Sequence, residues 1–306
     1  MIGFVFPGQG SQYAGMGKDL ADNFSVAKQL FEEANDSLGF DLASLCFDGP
    51  EEDLKLTTNT QPAILTVSIA ALRVIEQETG FAPAFAAGHS LGEYSALVGA
   101  GALSFADAVR VVRKRGAFMQ EAVPVGEGAM AAIIGLDGAP LEDVCREAAQ
   151  GKVVSPANFN SPGQVVIAGH ADAVERAIDL AKAKGAKRAL PLPVSAPFHC
   201  SLMVPAGERL KEVLESIAVN PLNIPVISNV EAVPNADASR VKDLLVTQVS
   251  SPVRWDESVR AMVGLGVKRF IEIGPGKVLA GLVKRIDKEV EAQSFSDVAG
   301  LRSLKA

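Results

Sequence analysis

Gly88-His89-Ser90-Leu91-Gly92 follows the apolar run Ala84-Phe85-Ala86-Ala87 and precedes Glu93-Tyr94-Ser95-Ala96-Leu97-Val98. The first run reads as a buried strand and the last as the start of a helix. G-x-S-x-G between a strand and a helix is the pattern of a nucleophile elbow. The turn is so tight that positions two before and two after the serine have almost no room for a side chain. Glycine meets that need and tolerates strained backbone angles. The serine hydroxyl then stands at the tip of a sheet, above a helix N-terminus. An ordinary strand-to-helix turn rich in small residues is the other reading of the same five residues.

Outward from the elbow, strands alternate with helices. Residues 2–6 read as a buried first strand that enters the loop Pro7-Gly8-Gln9-Gly10-Ser11-Gln12. Helical patterns follow at 17–38 and 62–78, and another at 105–121 after the elbow. Residues 225–228 and 268–273 read as further buried strands. This alternation predicts an α/β fold with a mainly parallel sheet covered on both faces. The middle of the chain has another rhythm: strand 128–136, helix 140–150, strands 152–158 and 164–168, helix 171–184 and strand 187–192. Asn160-Ser161-Pro162-Gly163 is the turn between the two adjacent strands. The order β-α-β-β-α-β is the ferredoxin-like arrangement. Pro124-Val125-Gly126 and Pro191-Leu192-Pro193 bracket it. A small domain at 124–192 is thus expected inside a discontinuous larger one made of 1–123 and 193–306.

The chain has 306 residues, 48% of them apolar, enough for a substantial core rather than a disordered chain. Its net charge of −7 argues against a general nucleic-acid binder. Cys46, Cys145 and Cys200 lie far apart without a C-x-x-C pair, so neither a disulfide framework nor a zinc site is expected, and a reducing cytoplasm fits. The N-terminus lacks the basic region of a signal peptide, and no apolar run is long enough to span a bilayer. A soluble intracellular protein with no membrane span is the expectation.

A serine nucleophile needs a base, and the chain has three histidines. His89 adjoins Ser90, and side chains of neighbouring extended residues diverge. His170 follows a strand of the small domain at the start of a helix, where a capping role is expected. His199, in Ala196-Pro197-Phe198-His199-Cys200, comes just after the chain returns to the large domain, beside a natural cleft. A buried structural histidine is the alternative there. Arg115 is the second informative residue. With Ala108 at zero on a wheel of about 100° per residue, Arg115 lies at about −20°, among Val112 and Met119. Arg110, Arg113 and Lys114 fall on the polar side. An inward guanidinium needs an anionic partner, either an internal carboxylate or that of a substrate. The loop at Gly8 and Gly10 fails G-x-G-x-x-G, because Tyr13 occupies the last position, and no P-loop is present. Such a loop can lend a backbone N–H to an oxyanion. Gly274-Pro275-Gly276 reads as a tight turn without chemistry.

Together these residues resemble the malonyl-CoA:acyl carrier protein transacylase family, the acyltransferases of fatty acid synthesis. The likeness runs nearly end to end through Phe6-Pro7-Gly8-Gln9-Gly10-Ser11-Gln12, Gly88-His89-Ser90-Leu91-Gly92-Glu93-Tyr94, Arg115-Gly116, Asn158-Phe159-Asn160-Ser161-Pro162-Gly163-Gln164 and Pro197-Phe198-His199. It continues through Ser228-Asn229-Val230, Gln248-Val249-Ser250-Ser251-Pro252-Val253-Arg254-Trp255 and Glu272-Ile273-Gly274-Pro275-Gly276. The resemblance implies an α/β-hydrolase-like large domain with a ferredoxin-like insert. It implies Ser90 as nucleophile, His199 as base, and the main-chain carbonyl of Gln248 as the group that orients the histidine. It further implies an oxyanion hole from the N–H groups of Gln9 and Leu91, and Arg115 on the malonyl carboxylate. Malonyl-CoA and acyl carrier protein are the implied partners, with no metal or redox cofactor. Arg113, Lys114, Lys187 and Arg188 are candidates for a basic docking rim. A serine thioesterase or esterase, a polyketide acyltransferase and a non-catalytic carrier-docking module are the alternatives.

Overall fold

Strand β1 (Ile2–Phe6) is buried from Gly3 onward, as an apolar run between two covered faces must be. In the computed structural model, which describes residues 1–194 and 196–305, Phe4 and Phe6 join one core cluster, and Val5 joins another on the opposite face. Strand β2 (Phe85–Gly88) runs parallel to β1, with Phe6 opposite Gly88. Strand β9 (Arg269–Ile273) lies parallel on the other side of β1. The six-stranded sheet is completed by β7 (Val226–Ile227), β8 (Pro234–Asn235) and β10 (Glu291–Phe295), in the order β10-β9-β1-β2-β7-β8. Only β8 is antiparallel, at the edge, where Pro234 is tolerated because no ladder hydrogen bond is asked of it on the open side. The chain leaves β1 for β2 on one side and reaches β9 on the other. The crevice at the carboxyl ends of β1 and β2 is therefore a topological switch point, the usual ligand position in such sheets.

The second sheet holds β3 (Gly128–Ile134), β4 (Val154–Ser161), β5 (Gln164–His170) and β6 (Arg188–Pro191), all antiparallel, in the order β4-β5-β3-β6. With its helices Gly138–Ala149 and Ala171–Ala183 it is the ferredoxin-like unit expected from the element order. Alternation along its strands divides the faces. Ala131, Ile133, Val165 and Ile167 pack on its own helices. Met130, Val166 and Ala168 join the main core. The small sheet thus lays its other face on the core of the larger domain. A bridge from Asn158 to Val253, with Val253 N–H to Ala157 O at 2.9 Å and Phe159 N–H to Val253 O at 2.9 Å, ties β4 by backbone to the segment between the helices Val241–Ser250 and Trp255–Gly264.

Several boundaries differ from expectation. The helix expected at 62–78 spans Thr57–Thr79, with Pro62 inside it. Pro62 costs one backbone bond there. The extra turn survives because its backbone lies directly on Gly116, where a Cβ would meet the Thr57 carbonyl at 2.6 Å. The pattern at 17–38 is two helices, Lys18–Asn23 and Ser25–Leu38, broken at Phe24, whose φ of −131° and ψ of 120° are extended. The turn between β4 and β5 is only Pro162-Gly163. No helix among the described residues is long and apolar enough to cross a membrane.

Candidate active site

The elbow forms where the glycines demand it. A Cβ on Gly88 would overlap the backbone of Gly92, and one on Gly92 would overlap the Phe6 carbonyl. Both positions admit only glycine. Ser90 takes φ +50°, left-handed and strained for a residue with a side chain. Asn229, just after β7, holds that strain from both sides. Its Oδ1 accepts the Ser90 N–H at 2.7 Å, and its Nδ2 donates to Gly88 O at 2.7 Å.

The Ser90 Oγ lies 2.7 Å from His199 Nε2. His199 Nδ1 lies 2.9 Å from the Gln248 main-chain oxygen. A carbonyl only accepts, so Nδ1 carries the ring proton and Nε2 presents its lone pair to the serine hydroxyl. His199 itself has φ +61° and is 3% exposed. Burial, then the nearby Arg115 charge, pushes its pKa down to about 3, so the ring is neutral at ordinary pH. An imidazole in this state, with its tautomer fixed, can take a proton from the hydroxyl it touches.

Arg115 lies on the helix Phe105–Glu121 and points inward, 1% exposed. Its Nη1 donates to Gln61 Oε1 at 2.9 Å, and its Nη2 donates to Gln248 Oε1 at 2.8 Å and Ser90 Oγ at 3.2 Å. The Tyr94 ring lies 5.5 Å from its guanidinium carbon. All its hydrogen-bond partners are neutral oxygens, and its Nε has none. Burial lowers its pKa from the ordinary value. A charge so desolvated and unneutralised is poised for an anion. Of the two partners open to it in the sequence, the internal carboxylate is not in direct contact. Among its neighbours on that helix, Lys114 is exposed as expected, but Arg113 lies half-buried with its guanidinium 4.0 Å over the Phe40 ring. Its aliphatic stem and planar head cover an apolar face, which a polarity wheel does not register.

Ser90, Arg115 and His199 line one cavity of about 110 Å³ between the two sheets, with Gln9 and Leu91 at its wall. Met130, Asn158 and Leu192 close it from the small-sheet side. The loop after β1 is braced by Ser11 Oγ donating to Gly8 O at 2.5 Å and by Gly10 N–H donating to Gln12 Oε1 at 2.7 Å. Among the described residues neither the Gln9 nor the Leu91 backbone N–H finds an acceptor. Leu91 immediately precedes the helix Gly92–Gly99, whose N-terminal dipole favours negative charge.

The other candidates go elsewhere. His89 Nε2 pairs with Asn160 Oδ1 at 2.8 Å, across on β4. His170 stands at the start of its helix, but its side chain does not cap it as expected; Nδ1 instead accepts from Val153 N–H at 3.0 Å. Cys200 is buried, its Sγ bonded to Pro197 O at 3.1 Å and its thiol pushed up to about 11, which leaves little thiolate. Ser195, in the segment leading to His199, lies outside the described residues. Sequence reasoning overlooked four supporting side chains: Gln61, Glu93, Asn229 and that of Gln248. None left a local signal: Gln61 ends the polar run Thr57-Thr58-Asn59-Thr60, and Glu93 sits in the first turn of a helix, where an acidic residue is ordinary.

Comparison with known proteins gives the chain a family. Residues 3–303 match the acyl transferase domain family. The malonyl CoA-acyl carrier protein transacylase of Escherichia coli is 55% identical over 298 residues, covering 97% of this chain and 96% of that one. An acyl carrier protein S-malonyltransferase from Vibrio cholerae superposes with a TM-score of 0.97 at 55% identity, covering 99% of both chains. A malonyl-transacylase solved in complex with its type II PKS acyl-carrier protein superposes with a TM-score of 0.97 at 53% identity, over 99% of this chain and 98% of that one. With so close a likeness along nearly its whole length, the chain belongs to the acyl transferase domain family.

Proposed function

We propose that this chain moves a malonyl group from malonyl-CoA to the phosphopantetheine thiol of acyl carrier protein, through an ester on Ser90, and so supplies fatty acid synthesis. His199 Nε2 takes the Ser90 proton while Oγ bonds to the thioester carbonyl carbon. The N–H groups of Gln9 and Leu91 receive the developing oxyanion; one such donor is worth about 2.7–4 kcal/mol. The carbon–sulfur bond breaks, and the imidazolium returns the proton to the CoA sulfur. In the second half the carrier thiol gives its proton to His199 and its sulfur attacks the ester. Ser90 Oγ leaves and is reprotonated. The Gln248 carbonyl holds the imidazole throughout, and Arg115 binds the malonyl carboxylate. The chemistry asks for no metal or redox cofactor. The cytoplasm, where CoA thioesters are made and thiols stay reduced, is the proposed location; Cys46, Cys145 and Cys200 are unpaired.

The observation that carries this reading is the buried Arg115, paired only with neutral oxygens and 3.2 Å from the Ser90 hydroxyl. A general thioesterase has no use for it. The test is partition of the acyl group. Malonyl-CoA with carrier protein should give malonyl carrier in a ping-pong pattern, with hydrolysis far slower than transfer. Release to water at the same rate with and without the carrier thiol would make the protein a hydrolase.

The depressed pKa of His199 yields a residue-specific expectation. Its folded value, about 3, lies below that of a free imidazole. The ring therefore stays neutral as pH falls through about 6.5, where an exposed histidine takes up its proton. The imidazole carbon-bound proton signal of His199 should stay constant from about pH 5 to 8 in NMR spectra. A step near 6.5 would mean a solvated ring, not one locked between Ser90 and Gln248.

A further inference from the structure

Glu93 is the second residue of the helix Gly92–Gly99 and is 3% exposed. It does not reach Ser90, His199 or Arg115 directly. One of its oxygens, Oε2, accepts from two groups: Gln248 Nε2 at 2.7 Å and Asn229 N–H at 3.2 Å. These are the two supports of the site. Asn229 grips the elbow on both sides of Ser90. Gln248 supplies the carbonyl behind His199, and its side chain spans from Glu93 to Arg115.

The Gln248 carboxamide has a direction. Its Nε2 faces two acceptors, the Ser90 carbonyl at 2.9 Å and the Glu93 carboxylate, and its Oε1 faces the Arg115 cation. Turned by half a rotation, it would set an NH2 against a guanidinium and an oxygen against a carboxylate. Gln248, Glu93 and Arg115 are all buried, so each mismatch is costly. The Ser90 carbonyl alone would leave Gln248 Nε2 one acceptor where the native site gives it two.

We propose that Glu93 is a positioning residue, whose Oε2 fixes the direction of the Gln248 carboxamide and so aims Arg115 at the acyl pocket. This rests on the reading that Arg115 receives the substrate carboxylate. What matters is the place of the acceptor oxygen. Burial raises the Glu93 pKa to about 7. Glu93→Gln keeps a carbonyl oxygen at that place and removes the titratable carboxyl. Glu93→Asp keeps the carboxyl and withdraws it by one methylene. Both are conservative enough to fold, which thermal melting verifies.

The experiment measures kcat/KM for malonyl-CoA and acetyl-CoA in native, Glu93→Gln and Glu93→Asp protein. Glu93→Asp should lower the malonyl value about tenfold and the acetyl value less than about threefold, while Glu93→Gln keeps the native preference. In a Gln248→Ala background, which retains the main-chain carbonyl, Glu93→Asp should cost nothing further in malonyl preference. Three results overturn the proposal: loss of malonyl preference in the Gln variant whatever the Asp variant does, native preference in both, or equal loss of both substrates. Failure of the underlying reading shows separately, as Arg115→Ala losing malonyl and acetyl transfer alike.

Discussion

Arg115→Ala should cut malonyl transfer by about 10²- to 10⁴-fold and leave acetyl transfer at or above its native rate. The native guanidinium is almost wholly removed from water and has only neutral partners in Gln61, Gln248 and Ser90. A malonyl carboxylate supplies the missing charge through short, charge-assisted hydrogen bonds. An acetyl group supplies nothing and leaves the cation buried and unmatched, which is why a site of this kind rejects it. Alanine removes both the attraction for one acyl group and the penalty against the other. The comparison is of kcat/KM for malonyl-CoA and acetyl-CoA. Equal loss for both would make Arg115 a structural residue.

Ser90→Ala should have the larger effect on the malonyl reaction, about 10⁴- to 10⁶-fold, because it removes the atom that carries the acyl group. No neighbouring group can replace it. Cys200 is the nearest thiol in sequence to His199, but it is bonded to the Pro197 carbonyl, with its thiol pushed up to about 11. His199→Ala should cost a similar factor, and the double variant little more, since base and nucleophile act as one unit. Steady-state transfer to carrier protein checks all three. Substantial activity in Ser90→Ala would move the nucleophile elsewhere.

The elbow was legible because its glycines answer to backbone overlap, a local constraint that leaves no alternative residue. The inward direction of Arg115 was legible because a helix wheel needs only spacing. The second sheet was legible because its strands and helices are short, regular and separated by Gly and Pro. Other features carried no local trace. Strand β10, Glu291-Ala-Gln-Ser-Phe, is a half-exposed edge without an apolar run, and β8 is two residues long. Pro62 reads as a helix start; only contact with Gly116 shows why the helix begins earlier. The side-chain supports come from residues far apart in the chain. Gln248 and Glu93 are 155 positions apart, and Asn229 and Ser90 are 139 apart. Hydrogen bonds of that range follow from the tertiary fold, and no periodicity announces them.

The most direct measurement is the mass of the native protein after brief mixing with malonyl-CoA and no carrier protein, followed by peptide mapping. One malonyl group on the peptide containing Ser90, discharged on addition of the carrier thiol, is the predicted result. No adduct, or an adduct on another residue that persists in Ser90→Ala, would contradict transfer through a serine ester.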